Sequence, residues 1–74
     1  MNKRPAEAAA YFATFNELYV AAKDSCDVGI APPFTSLATV RELIKGEQSI
    51  LLAAQNVHWL DSGAHTGEIS PTML

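Results

Sequence analysis

The chain has 74 residues, 49% of them hydrophobic and 18% charged, and carries a formal net charge of −3. That is an ordinary soluble globular make-up, light in charge and sufficient for one domain at most. The cationic residues Lys3, Arg4, Lys23, Arg41 and Lys45 are dispersed and form no stripe, which argues against nucleic acid and anionic membrane surfaces as partners.

Pro5 to about Lys23 reads as an amphipathic helix. Ala8, Tyr11, Phe12, Phe15, Leu18, Tyr19 and Ala22 recur at steps of three and four, the spacing of one buried stripe. Pro5 fits the first turn, Glu7 complements the positive end of the helix dipole, and Lys23 suits the other end. The aromatic residues are expected to pack a core. Asp24-Ser25 makes a turn. Cys26 to Ala31 then reads as a short strand, ended by Pro32-Pro33, which cannot donate to a sheet ladder. Cys26 is the lone cysteine, so no intrachain disulfide forms and no metal-ligand spacing exists. It is expected to be a small buried apolar residue. Asp27 should mark the strand entrance, and Gly29 suggests close approach by a neighbour.

A second helix runs from Thr35 or Ser36 to Lys45, with Leu37, Val40, Leu43 and Ile44 as its stripe and Gly46 as a left-handed cap. Glu47-Gln48 connects it to Ser49–Ala54, a continuous apolar run. Such a run fits a parallel strand covered on both faces. Strand, helix, strand at this spacing is a βαβ unit, and Pro33-Phe34-Thr35 lies at the strand's carboxyl end, where α/β folds place ligands. Gln55 and Asn56 stand at the carboxyl end of the next strand. The segment from Val57 to Ile69 is longer than most structureless connections, and Gly63 and Gly67 give it backbone freedom, so a protruding Ω-like loop is expected. Trp59 should pack at its base. Ser70 is a fitting N-cap and Pro71 a fitting first residue for a third helix.

No signal peptide is readable and no apolar run approaches the roughly 20 residues of a membrane span, so a cytoplasmic protein is expected. The ends predict an incomplete domain. A helix of one turn does not nucleate alone, and the bare strand edges call for partners. A closed (β/α)8 barrel takes about 250 residues.

Ala54-Gln55-Asn56, followed by Ser62-Gly63-Ala64-His65-Thr66-Gly67-Glu68-Ile69-Ser70, resembles the third strand and third loop of triosephosphate isomerases. The family pattern there is A-Q-N, then roughly G-A-[FH]-T-G-E-[IV]-S. Val28-Gly29-Ile30-Ala31-Pro32-Pro33 is similar to the family's second strand, V-x-[VI]-A-P-P. Met1-Asn2 is similar to the last letters of N-W-K-M-N. The resemblance implies residues 1–74 of a single TIM-barrel domain: two parallel strands with two helices, the long third loop, and the first turn of a third helix.

The family interconverts dihydroxyacetone phosphate and glyceraldehyde 3-phosphate in glycolysis and gluconeogenesis, with no cofactor or metal. The resemblance assigns this chain no catalytic residue. The catalytic Asn and Lys are the first and third letters of N-W-K-M-N, so Asn2 and Lys3 are not that pair. The electrophilic His lies on the fourth strand and the Glu base after the sixth, and His58 and His65 stand in other motifs. An inactive isolated chain is therefore expected; the alternative is a segment that acts by pairing with the remaining barrel or a partner subunit. In the family the third loop crosses a homodimer interface, and its Thr braces the neighbour's catalytic Asn and Lys. That role would fall on Thr66, with His65, Gly67 and Glu68 shaping the loop. Gln55 and Asn56 would support the active-site floor; read from the residues alone, they are amides satisfying loose backbone groups at a strand end. His65 stands where Phe is commoner and brings a group that titrates near neutrality, so the dimer would weaken on acidification if His65 is buried neutral.

Overall fold

The structure is a computed structural model that describes residues 2–20, 26–46 and 49–74. Its elements are helix α1 (Pro5–Val20), strand β1 (Val28–Ile30), helix α2 (Phe34–Ile44), strand β2 (Ile50–Leu52) and a 3-10 turn over Pro71–Met73. The strands pair in parallel, with Val28 opposite Ile50, Gly29 opposite Leu51 and Ile30 opposite Leu52. Two helices and two parallel strands in this order agree with the expected part of a (β/α)8 barrel. The expected contribution of Ala22 to the stripe, the Lys23 helix end, the Asp24-Ser25 turn and the Glu47-Gln48 connector lie outside the described residues.

The start of α1 is fixed by Glu7. Its carboxylate accepts the Arg4 backbone N–H at 2.8 Å and the Arg4 Nε–H at 3.2 Å. The Arg4 backbone bond, then its side-chain bond, hold the Glu7 carboxyl below its usual value. This is the carboxylate half of a capping box, reached from the third helical position. The folded-state value is depressed, so the stabilisation is present above the ordinary carboxylate range and is lost as pH falls through the lowered value. Helix content measured by circular dichroism should therefore drop on acidification below about pH 4.5. Glu7→Gln should remove that component of the drop, and an identical acid profile in the variant would count against the cap.

The core is formed by Ala8, Phe12, Tyr19, Val40, Ile44 and Ile50, with Phe15, Val28, Ile30 and Leu52 packed against it. The stripe of α1 is narrower than expected. Tyr11 and Leu18 are 54% and 71% exposed. They lie one heptad apart on the same flank, and α2 with two short strands does not reach that flank. Tyr11 instead lies beneath Lys3, whose Nζ sits 5.2 Å from the ring centre. Phe15 joins the rings of Phe12 and Tyr19, at centroid distances of 6.0 and 5.8 Å. The Tyr19 hydroxyl donates to Ser49 Oγ at 2.7 Å, tying the end of α1 to the entrance of β2.

Helix α2 begins at Phe34, one residue earlier than the expected start, because Pro33 in extended geometry takes the N-cap position. Leu37 is half-buried and Leu43 exposed, while Ser36 is fully buried on the face of Val40 and Ile44. The helix ends at Ile44 with Lys45 as cap, and Gly46 follows at φ +95°, the left-handed turn expected there.

Among the described residues the sheet is covered on one face only, contrary to the two-sided burial expected from Ser49–Ala54. Val28, Ile30, Ile50 and Leu52 face the helices, whereas Gly29 and Leu51 face away, with Leu51 64% exposed. An unbroken apolar run has residues for both faces, and both described helices stand on the same side. A Cβ on Gly29 would meet Leu51 at ordinary contact distance, 3.8 Å, so the close approach expected there is absent. Cys26 is exposed, not buried, because it precedes β1 and falls outside the core. Asp27 is at the strand entrance and exposed, as expected.

Candidate functional site

The carboxyl ends of the two strands are joined by bonds that continue past the ladder. Ala53 N–H donates to the Ile30 carbonyl at 2.9 Å, and the Gln55 side chain then donates through Nε2 to the Ala31 carbonyl at 3.0 Å. Gln55 thus extends the pairing beyond β1, where Pro32 has no N–H to offer. Its exposed amide borders a groove shared with Asn2, Lys3, Tyr11, Phe12 and Pro33. Asn56 is exposed at the point where the chain leaves the sheet.

From there the chain makes an Ω-like loop whose ends are held together. His58 N–H donates to the Ile69 carbonyl at 2.9 Å. At the far side, the Thr72 hydroxyl donates to the Asp61 carbonyl at 3.3 Å and lies 3.0 Å from the Ser70 hydroxyl. Thr72 has one hydroxyl proton and Asp61 O can only accept, so Ser70 is the donor to Thr72. This differs from the expected cap, in which the Ser70 hydroxyl accepts a backbone N–H of the first helical turn. Its carbonyl serves the turn instead, accepting Met73 N–H at 3.2 Å.

The loop tip is a tight turn made by residues the sequence singled out. Glu68 N–H donates to the His65 carbonyl at 3.0 Å across Thr66 and Gly67. Gly67 has φ +91°, a value that favours glycine. His65, Thr66, Gly67 and Glu68 are all exposed and presented together, whereas Gln55 and Asn56 belong to the separate strand-end group.

The organising side chain is one that sequence reasoning set aside. His58 is half-buried, accepts Leu60 N–H at Nδ1 (3.1 Å), and stacks on both Trp59 and His65, each at a centroid distance of 4.2 Å. The adjacency of His58 and Trp59, with a second imidazole past a glycine, is the signal that could have found it. Trp59 does not pack into the loop base: it is 83% exposed, with one face on the His58 ring. Val57 and Leu60 are also exposed, at 49% and 45%.

Asp61 and Glu68 border the same small cavity as the two imidazoles. Among the described residues, no group of three or more His, Cys, Asp or Glu side chains is placed to hold a metal ion. Among them, too, no helix is long and apolar enough to cross a membrane. The arrangement is a backbone-pinned platform. It can present a hydroxyl, a carboxylate and apolar rings to a neighbouring surface in fixed positions.

The family model for triosephosphate isomerase matches residues 1–74. Over those 74 residues the chain is 45% identical to the triosephosphate isomerase of Synechococcus sp. (strain CC9902) and 46% identical to that of Solibacter usitatus (strain Ellin6076). A third triosephosphate isomerase, from Borreliella burgdorferi (strain ZS7), is 56% identical over 52 residues, which is 70% of this chain and 20% of that protein. The chain spans about 30% of the length of the first two relatives.

Proposed function

Because the chain belongs to the triosephosphate isomerase family, we propose that it forms the portion from the first helix to the start of the third helix, with the second and third strands and the third loop between them, of an enzyme that interconverts dihydroxyacetone phosphate and glyceraldehyde 3-phosphate. That enzyme would serve glycolysis and gluconeogenesis in the cytoplasm. The part played by these residues is structural. Thr66, on the turn closed by Glu68 N–H and the His65 carbonyl, would brace the catalytic Asn and Lys of a partner subunit. Gln55 and Asn56 would support the active-site floor. The observation that carries this reading is the exposed, hydrogen-bonded His65–Glu68 turn within a match that covers every residue of the chain.

On this reading the 74-residue chain alone is not an isomerase. Positioned acid–base groups contribute on the order of 10²–10⁴ each to a proton transfer, and the family's Lys, His and Glu have no matching motif in these residues. A coupled assay on the purified chain should give no turnover above buffer, and any rate that scales with chain concentration refutes the reading.

The second reading, a segment that acts by pairing, is favoured by the uncovered apolar side chains. Leu51 is 64% and Leu18 71% exposed, on surfaces that an added strand or helix would bury. Co-refolding with the remaining barrel of a family member would restore activity if pairing is the role.

A further inference from the structure

The His58 ring braces the loop start through an atom that has to stay unprotonated. Its Nδ1 accepts Leu60 N–H at 3.1 Å, so the ring carries its hydrogen at Nε2. A second proton can enter only at Nδ1. Two donors would then face each other and the Leu60 bond would be lost. The same ring stacks on His65 at 4.2 Å and 28°, so a charge on both rings adds like-charge repulsion.

We propose that this loop is a proton-sensitive element: protonation of His58 releases Leu60 N–H, parts the His58–His65 stack and opens the loop. Histidine is the side chain whose ordinary charge change falls between about pH 5 and 8.

The surrounding groups decide what drives the change. The titratable groups bordering the cavity with His58 are His65, Asp61 and Glu68. Among the described residues no Lys or Arg borders it, and the 3-10 turn and its cap contribute only Ser70 and Met73. Asp61 and Glu68 are exposed and would welcome an imidazolium. Opening therefore comes from the lost Nδ1 acceptor and the paired imidazoles, not from any shortage of counter-charge.

The test is nuclear magnetic resonance on the full 74-residue chain at pH 8 and pH 5. At pH 8 the His58 and His65 ring protons should show a mutual Overhauser contact and the Leu60 amide should be protected from exchange. At pH 5 the contact should vanish and the Leu60 protection factor should fall at least tenfold, while the methyl signals of Val40 in the core stay unchanged. His65→Phe should keep the pH-dependent loss at Leu60, because that bond belongs to His58; His58→Phe should remove it. The proposal is overturned by equal Leu60 protection at both pH values, by a missing ring contact at pH 8, or by a pH response that survives in His58→Phe. Loss of the Val40 signals over the same range also overturns it, since the change would then be global unfolding.

Discussion

Phe12→Ala is expected to unfold the chain. Phe12 is 5% exposed and lies at the centre of the core, between Ala8 and Tyr19 on α1 and facing the α2 stripe. Truncating a buried Phe to Ala destabilises by about 3–5 kcal/mol through lost transfer energy and the cavity left behind. At about 0.05–0.15 kcal/mol per residue, 74 residues correspond to a total stability of roughly 4–11 kcal/mol. This chain belongs at the low end, because one face of its sheet is uncovered and small domains bury the least surface. The loss is therefore comparable to everything that holds the fold. The variant should show no cooperative thermal transition by circular dichroism. Leu18→Ala, at a site 71% exposed, should change stability by no more than about 0.5 kcal/mol. A Phe12→Ala variant that melts cooperatively near the wild-type temperature would show that this core is not what holds the chain together.

Those two residues also mark how far the sequence could be read. Helical spacing placed Phe12 and Leu18 on the same stripe, and both positions satisfy the period equally well. What separates them is whether a neighbour covers the flank, and periodicity does not carry that information. Leu51 makes the same point for the sheet. Its place in a continuous apolar run predicts two-sided burial, yet the described helices cover only the side of Ile50 and Leu52. Element type, order and parallel pairing were legible because Pro32-Pro33, Gly46 and Ser70-Pro71 punctuate the chain where the backbone requires it. Cys26 and Trp59 were misplaced because residue type alone predicts average burial, and both sit outside the one packed face. In the loop, Gly63 and Gly67 were correctly read as sites of backbone freedom. His58 is harder to read because its role lies in a cross-loop stack and a hydrogen bond from Leu60 N–H, for which the sequence offers only the neighbouring Trp59 and a second imidazole past a glycine.

Gly63→Ala is expected to disrupt the loop more than Gly67→Ala, although both glycines have positive φ. Gly67, at φ +91°, has nothing within 4 Å of where a Cβ would stand. Alanine there should cost only the backbone term, about 1–2 kcal/mol. Gly63, at φ +140°, lies farther from the left-handed region and carries a backbone term of its own, about 1–3 kcal/mol, and its Cβ would stand 2.8 Å from His65 Nε2 and 2.9 Å from Cδ2. The atoms it meets are the far end of a side chain, so the backbone need not shift; the imidazole must. That ring is half of the His58–His65 stack, and moving it forfeits a further contribution of about 0.5–1.5 kcal/mol for an aromatic pair. The difference should register in the protection of the His58 amide, whose bond to the Ile69 carbonyl closes the loop. A double-mutant cycle assigns the extra loss to its cause. In a His65→Ala background the ring is gone, so Gly63→Ala should cost less by about the contribution of the stack. Equal losses for the two glycines in the wild-type background, or an undiminished Gly63→Ala effect without His65, would show that the stack is a passenger on the loop and not one of its supports.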